Sequence, residues 1–243
     1  MRMLFTIMLA VSPVYSGDTK AVPQDSPVPM EMESTTFEDD VDSASAKILR
    51  WITESRERRQ VRRIREALVN RDTKSAQEAL DTLVRDFPEI KEQEPQAIRF
   101  HQGNINFWKR DLDGAYKEYD EAIKALEQEY PKGFPPGKYL DNNKSFMADL
   151  YFGRGATQLH RRKYPEAIAD INKAMLTYQP RAYMMVNKCR AFLRLKKYKE
   201  AADAYNAAYK INSEKALEAE DKADICTLLE KNSFRPLPCV SKE

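Results

Sequence analysis

The sequence predicts an all-α fold, an α-solenoid of antiparallel helix pairs closed by a C-terminal capping helix. Two observations carry this. One pattern is written twice across residues 151–211: Gly155, Tyr164, Glu166, Ala167, Asn172 and Ala174 are answered, 34 positions on, by Cys189, Tyr198, Glu200, Ala201, Asn206 and Ala208. Inside each copy the small residues fall at helical spacing, so two short helices can cross closely where Gly155 or Cys189 faces Ala167 or Ala201. The second observation is composition. With 32% charged residues, 42% hydrophobic residues and only seven glycines in 243, the chain favours helices over strands in one elongated domain.

Once the period is known, further copies emerge. Gly103, Ala115 and Ala122 precede Gly155, Ala167 and Ala174 by 52 each, one period of 34 plus an insertion of 18. Pro131, Gly133, Pro135, Pro136 and Gly137 stand in that insertion, so residues 131–147 are expected as a loop between repeats at 96–130 and 148–181. A further repeat occupies 182–212. Ala67, Ala79 and Leu83 precede Gly103, Ala115 and Tyr119 by 36, a degenerate copy within the helical region 45–94. Ala223 follows Cys189 by 34, so residues 213–231 are expected to cap the last exposed apolar face, leaving 232–243 as a tail. One helix pair is too small to bury its own apolar stripe. Stacking adds several large side chains per junction, each contributing about 1.5–3 kcal/mol when fully buried. Tyr164, Tyr198, Ile168 and Ile171 are the core candidates.

The stretch YFGRGATQLHRRKYPEAIADINKAM resembles the tetratricopeptide repeat (TPR) family in its small, small, aromatic, small scheme. The resemblance is good over residues 96–211 and loose over 60–94. It implies a right-handed superhelix and a binding scaffold whose first helices line a concave surface. Carried over in register, the inward positions are Phe100, Asn104, Phe107 and Trp108 in the first clear copy. The next copy gives Phe152, Ala156 and His160, and the last gives Tyr183, Asn187, Arg190 and Arg194. Such a groove is aromatic at one end and basic at the other. Its aromatic faces would take apolar anchors, Asn104 and Asn187 would hydrogen-bond a backbone, and Arg190 with Arg194 would hold a carboxylate. Phe107 and Trp108 read equally well as core, and the arginines as a solvated helix face. The TPR subgroup that clamps acidic chaperone tails matches at Asn104 only, because Phe100, Gly153 and Tyr183 stand where that subgroup has polar or basic groups.

The amino-terminal region is different in kind. Arg2, the apolar run Met3 to Val11 and the small-residue approach to Gly17 make residues 1–17 resemble a secretory signal peptide, and nine apolar residues are too few to span a bilayer. Residues 18–44, rich in Pro, Ser, Thr and acid, are expected as a flexible leader. Beyond them Arg56, Arg58, Arg59, Arg62, Arg63 and Arg65 crowd a helix. They read as a solvated face or as a surface for nucleic acid or acidic lipid. The overall net charge of +2 points to neither.

Three cysteines at irregular spacing make no metal site. Cys189 fills a small crossing position and reads as a buried, inert thiol. Cys226 and Cys239 are a candidate disulfide tying the tail to the cap if the compartment is oxidising. His101 and His160 fit no zinc pattern, no nucleophile elbow is present, and Gly133 to Lys138 lacks the residues of a phosphate loop. No catalytic residue and no cofactor is expected. Asn143-Lys144-Ser145 fits a glycosylation sequon in the expected loop. The sequence thus points to an exported scaffold that binds a protein or peptide, with an anionic-surface binder and a self-filled or homo-oligomeric structural subunit as the alternatives.

Overall fold

The computed structural model describes residues 56–131, 140–213 and 222–239. The expected signal segment 1–17 and leader 18–44 lie outside the described residues. The elements are α1 (helical residues 56–69), α2 (Thr73–Asp86), the single turn α3 (Ile90–Gln93), α4 (Pro95–Trp108), α5 (Leu112–Glu129), α6 (Leu140–His160), α7 (Tyr164–Thr177), α8 (Ala182–Arg194), α9 (Tyr198–Ile211) and α10 (Lys222–Lys231). A 3-10 turn (Leu237–Cys239) follows. The helices pack as antiparallel pairs, α1 with α2, α4 with α5, α6 with α7 and α8 with α9, and the pairs stack in chain order.

One turn geometry closes every pair. Arg71, Arg110, Arg162 and Lys196 hold φ of 57°, 66°, 63° and 59°. The next residue donates its N–H five residues back: Asp72 to Ala67, Asp111 to Asn106, Lys163 to Gln158 and Lys197 to Phe192. This is the Schellman closure, which usually takes glycine; a side chain there costs about 1 kcal/mol. Asp72 and Asp111 then cap the second helix, each accepting through its side chain from the N–H of Ser75 or Gly114.

The small residues that set the period sit where the helices cross. Ala115, Ala122, Ala167, Ala174, Ala201, Ala208 and Cys189 are all fully buried. A Cβ on Gly155 would lie 3.2 Å from the Ala167 carbonyl and from Ile171. Tyr119 of α5 is wedged between two glycines: a Cβ on Gly103 or Gly153 would stand 2.9 or 2.7 Å from its ring. Its hydroxyl donates to Asn104 Oδ1 at 2.8 Å. Arg154 locks the same junction by pairing with Asp120 at 2.6 Å and Asp170 at 2.7 Å, all three largely buried. Of the other core candidates, Ile171 is buried, whereas Tyr164, Tyr198 and Ile168 are half-buried.

Two expectations need correction. Residues 140–147 are helix rather than loop, because the last helix breaker of the insertion is Gly137 and the following Phe146 and Met147 bury against the second pair. The sequon therefore lies in α6, where Ser145 Oγ accepts from Arg181. At the far end α10 covers the last pair with Ile225 and Leu229, a cap over residues 222–231 of the expected 213–231, while Ala223 is exposed. Cys226 and Cys239 form a disulfide, Cα–Cα 5.3 Å, that ties the 3-10 turn to α10, and Leu237 N donates to Asn206 at 2.7 Å. No described helix is long and apolar enough to cross a membrane.

Candidate functional site

The first helices of neighbouring pairs touch, α4 with α6 and α6 with α8, while the second helices of neighbouring pairs meet sparsely at most. The stack therefore bends toward its first-helix side, which is the concave one. Three rows of equivalent residues cross that side: Phe100, Phe152 and Val186; Asn104, Ala156 and Arg190; Trp108, His160 and Arg194.

The first row is sealed. Phe100 and Phe152 are each 2% exposed and Val186 1%. Phe100 meets Phe146 edge-on with centroids 5.4 Å apart, so the amino-terminal extension of α6 closes over it. Phe152 meets Tyr183 at 4.7 Å. Both phenylalanines and the half-buried Tyr183 belong to one core cluster spanning three pairs. Phe100 and Phe152 are thus core residues and not groove residues. The physical reason is the close approach of the first helices, which leaves large apolar side chains no room to stand open.

Tyr183 is engaged internally as well. Its hydroxyl accepts from Arg181 Nη1 at 2.8 Å and approaches Asp149 Oδ1 at 3.3 Å, while Arg181 Nη1 pairs with Asp149 at 2.7 Å. Burial pushes the Asp149 carboxyl up to about 6, against the opposing pull of Arg181 and Tyr183. This network joins α6 to the start of α8 and contributes positioning rather than a binding surface.

The middle row opens gradually. Asn104 is 1% exposed and bonded to Tyr119, so it is not available to a peptide backbone, and Ala156 is buried. Asn187 is half-buried. It donates to the Tyr183 carbonyl at 2.9 Å and accepts from the half-buried Arg190 at 3.3 Å.

The third row is open. Phe107, 8% exposed, is the floor beneath it, touching Trp108 edge-on at 5.6 Å and His160 at 5.1 Å. Trp108 is half-buried and carries the Arg71 guanidinium over its ring at 5.2 Å; His160 and Arg194 are exposed. Partial burial lowers the His160 pKa, and the charges of Arg110 and Arg190 lower it further. The open part of the face is therefore a cationic strip on an aromatic floor, held by the carboxy-terminal ends of α4, α6 and α8. The sequence reading missed Arg71 and Arg110. Their signal was present, because a basic residue occupies the tight turn of all four pairs. Cys189 is buried and unoxidised, inside the last core cluster.

A family model described as tetratricopeptide repeat matches residues 61–135 and 161–216, together more than half of the chain. No curated protein matches it.

Proposed function

Since the chain belongs to the tetratricopeptide repeat family, whose members are generally non-enzymatic interaction scaffolds, we propose that it holds a polypeptide segment along Trp108, His160, Arg190 and Arg194. The observation that supports this most is the strip itself: an aromatic floor under a row of basic groups, on the concave side of a repeat stack. The segment it suits carries an apolar or aromatic anchor for Trp108 and acidic side chains for the arginines. Selection of peptides from a random displayed library on the full chain tests the reading. Enriched sequences should be acidic with an aromatic or aliphatic anchor, and should bind Trp108→Ala and Arg194→Glu chains at least about tenfold more weakly, a change of about 1.4 kcal/mol. Peptides that bind both variants as tightly as the parent contradict it.

Export is the second part of the proposal. It is supported by the apolar start of the chain and by the Cys226–Cys239 disulfide, a bond that persists in oxidising compartments. Mass spectrometry of the protein from its native source should find an amino terminus near Asp18. An intact Met1 would end this part. Five exposed arginines on α1 favour the anionic-surface reading as an alternative. Binding of acidic vesicles or nucleic acid that collapses between low and moderate salt would select it over the aromatic strip.

A further inference from the structure

The tight turns that close the helix pairs lie along one edge of the stack, and the residues in them run against local preference. Glycine takes the left-handed position of this closure at least cost, yet the four pairs place Arg71, Arg110, Arg162 and Lys196 there. The same closure after α10, where no second helix of a pair follows, holds Ser233 at φ 67°. The next position changes between the first two pairs and the last two. In the first two it is Asp72 or Asp111, each capping its helix through the side chain. In the last two it is Lys163 or Lys197, which make no cap bond and set a positive charge at the positive end of α7 or α9.

A cation at the left-handed position serves the dipole of the first helix, but Arg194 already does so from the last turn of α8, with a helical backbone. A lysine at the cap position serves no helix. Local rules broken together, at equivalent places in two neighbouring pairs, point to a use outside the fold.

Residues 160–166 and 194–200 hold seven arginines and lysines against two carboxylates, Glu166 and Glu200. Arg161 is taken up internally, pairing with Asp113 of α5 at 2.8 Å. Arg162, Lys163, Lys196, Lys197 and Lys199 are exposed, and among the described residues their side chains have no partner. Since α8 packs against both α6 and α7, the two clusters stand side by side as one ridge. It runs along the turns themselves, beyond the aromatic strip.

A row of one sign carried by two neighbouring pairs fits an extended chain of negative charges. No exposed aromatic ring stands in it to stack on bases, because Tyr164 and Tyr198 are half-buried. None of the exposed large apolar side chains of the described residues lies in it to enter a bilayer. The choice of polyanion also rests on the export reading, since an exported chain meets glycans before nucleic acid. We propose that the ridge of Arg162, Lys163, Lys196, Lys197 and Lys199 binds a linear acidic polysaccharide, one with sulfate or carboxylate groups along its length. This site is separate from the one that holds a polypeptide segment.

Titration calorimetry of the full chain tests it, with heparin, polygalacturonate, uncharged dextran, a single-stranded oligonucleotide and phosphatidylglycerol vesicles as probes. Heparin, polygalacturonate or both should bind, more weakly as salt rises, and dextran should not. The two acidic polymers distinguish sulfate from carboxylate. The double variants Arg162→Gly/Lys196→Gly and Lys163→Asp/Lys197→Asp should each weaken binding at least about tenfold. Both should also raise the Tm by about 2 °C or more, because glycine relieves the left-handed backbone and aspartate caps α7 and α9 as it caps α2 and α5. Arg59→Ser/Arg62→Ser, which removes two charges from α1, should change the affinity less than about twofold. Equal binding of dextran, tighter binding of the oligonucleotide or the vesicles than of either polysaccharide, unchanged affinity or a lowered Tm in either ridge variant, or an equal loss in the α1 variant would each overturn the proposal. Peptides selected on the aromatic strip that still bind the ridge variants would leave that strip standing.

Discussion

The sealed and the open rows of the first-helix side are built from equivalent register positions, eight residues apart along each helix, yet they differ sharply in exposure. Phe100, Phe152 and Val186 weld neighbouring first helices together; His160 and Arg194 face outward, and Trp108 stands half-buried beside them, packed against the core on one side. The difference comes from how closely the first helices approach one another. Where the first helices touch, a large side chain has nowhere to go except into the core, and where they end in tight turns, the side chains look over the turn into solvent. The exposed side chains of this side therefore gather along one edge of it and not across its whole breadth.

This contrast can be broken most forcefully in the interior. Arg154→Ala leaves Asp170 buried without its cation and Asp120 with Lys124 alone, and should cost about 3 kcal/mol in denaturant unfolding while leaving the open row's chemistry untouched. A loss below about 1 kcal/mol would show that the junction is not locked by this pairing.

The two histidines sharpen the contrast next. Burial, and secondarily Arg65, push the buried His101 down to about 4, so its folded pKa lies below its unfolded value near 6.5. Its contribution is full above pH 6.5 and is lost as pH falls toward 4, by about 3 kcal/mol. Asp149 works in the opposite sense. Its folded value near 6 lies above the unfolded one, so the folded state takes up a proton first and gains stability as pH falls from 6 toward 4. The comparison of His101→Asn with the parent at each pH isolates the histidine. The variant should gain on the parent progressively between pH 6.5 and 4, and a constant difference across that window would refute the buried neutral imidazole.

Glycine supplies a smaller effect. Gly153→Val drives a side chain into the Tyr119 ring, which cannot retreat because Gly103 backs it on the other side, and should cost about 1–3 kcal/mol. At the other extreme Arg194→Glu, on the open row, should move the unfolding midpoint by no more than about 0.5 kcal/mol. Equal costs at residues 153 and 194 would mean that the two rows are not distinct.

The repeat was legible in the sequence because the alanines and glycines at helix crossings tolerate no larger residue, which keeps the 34-residue period visible. Ala115, Ala167 and Ala201 lie where that period requires. The edge of the insertion was misread because Pro135, Pro136 and Gly137 mark where a helix cannot be, but not how soon the next begins; Phe146 and Met147 supply the burial that carries α6 back to residue 140. The site was harder. A register argument assigns a residue to the inner side of a helix without saying whether a neighbouring helix covers it, so Phe100 and His160 looked alike in sequence. Only the approach of α6 separates them.

The central claim is that the open row, and not the sealed one, meets the partner. Diethyl pyrocarbonate labelling of the two histidines, followed by peptide mass analysis, tests it directly with and without a peptide selected on the full chain. His160 should be modified readily, His101 slowly, and the bound peptide should protect His160. Equal reactivity of the two histidines, or a saturating peptide that leaves His160 fully reactive, would contradict the account.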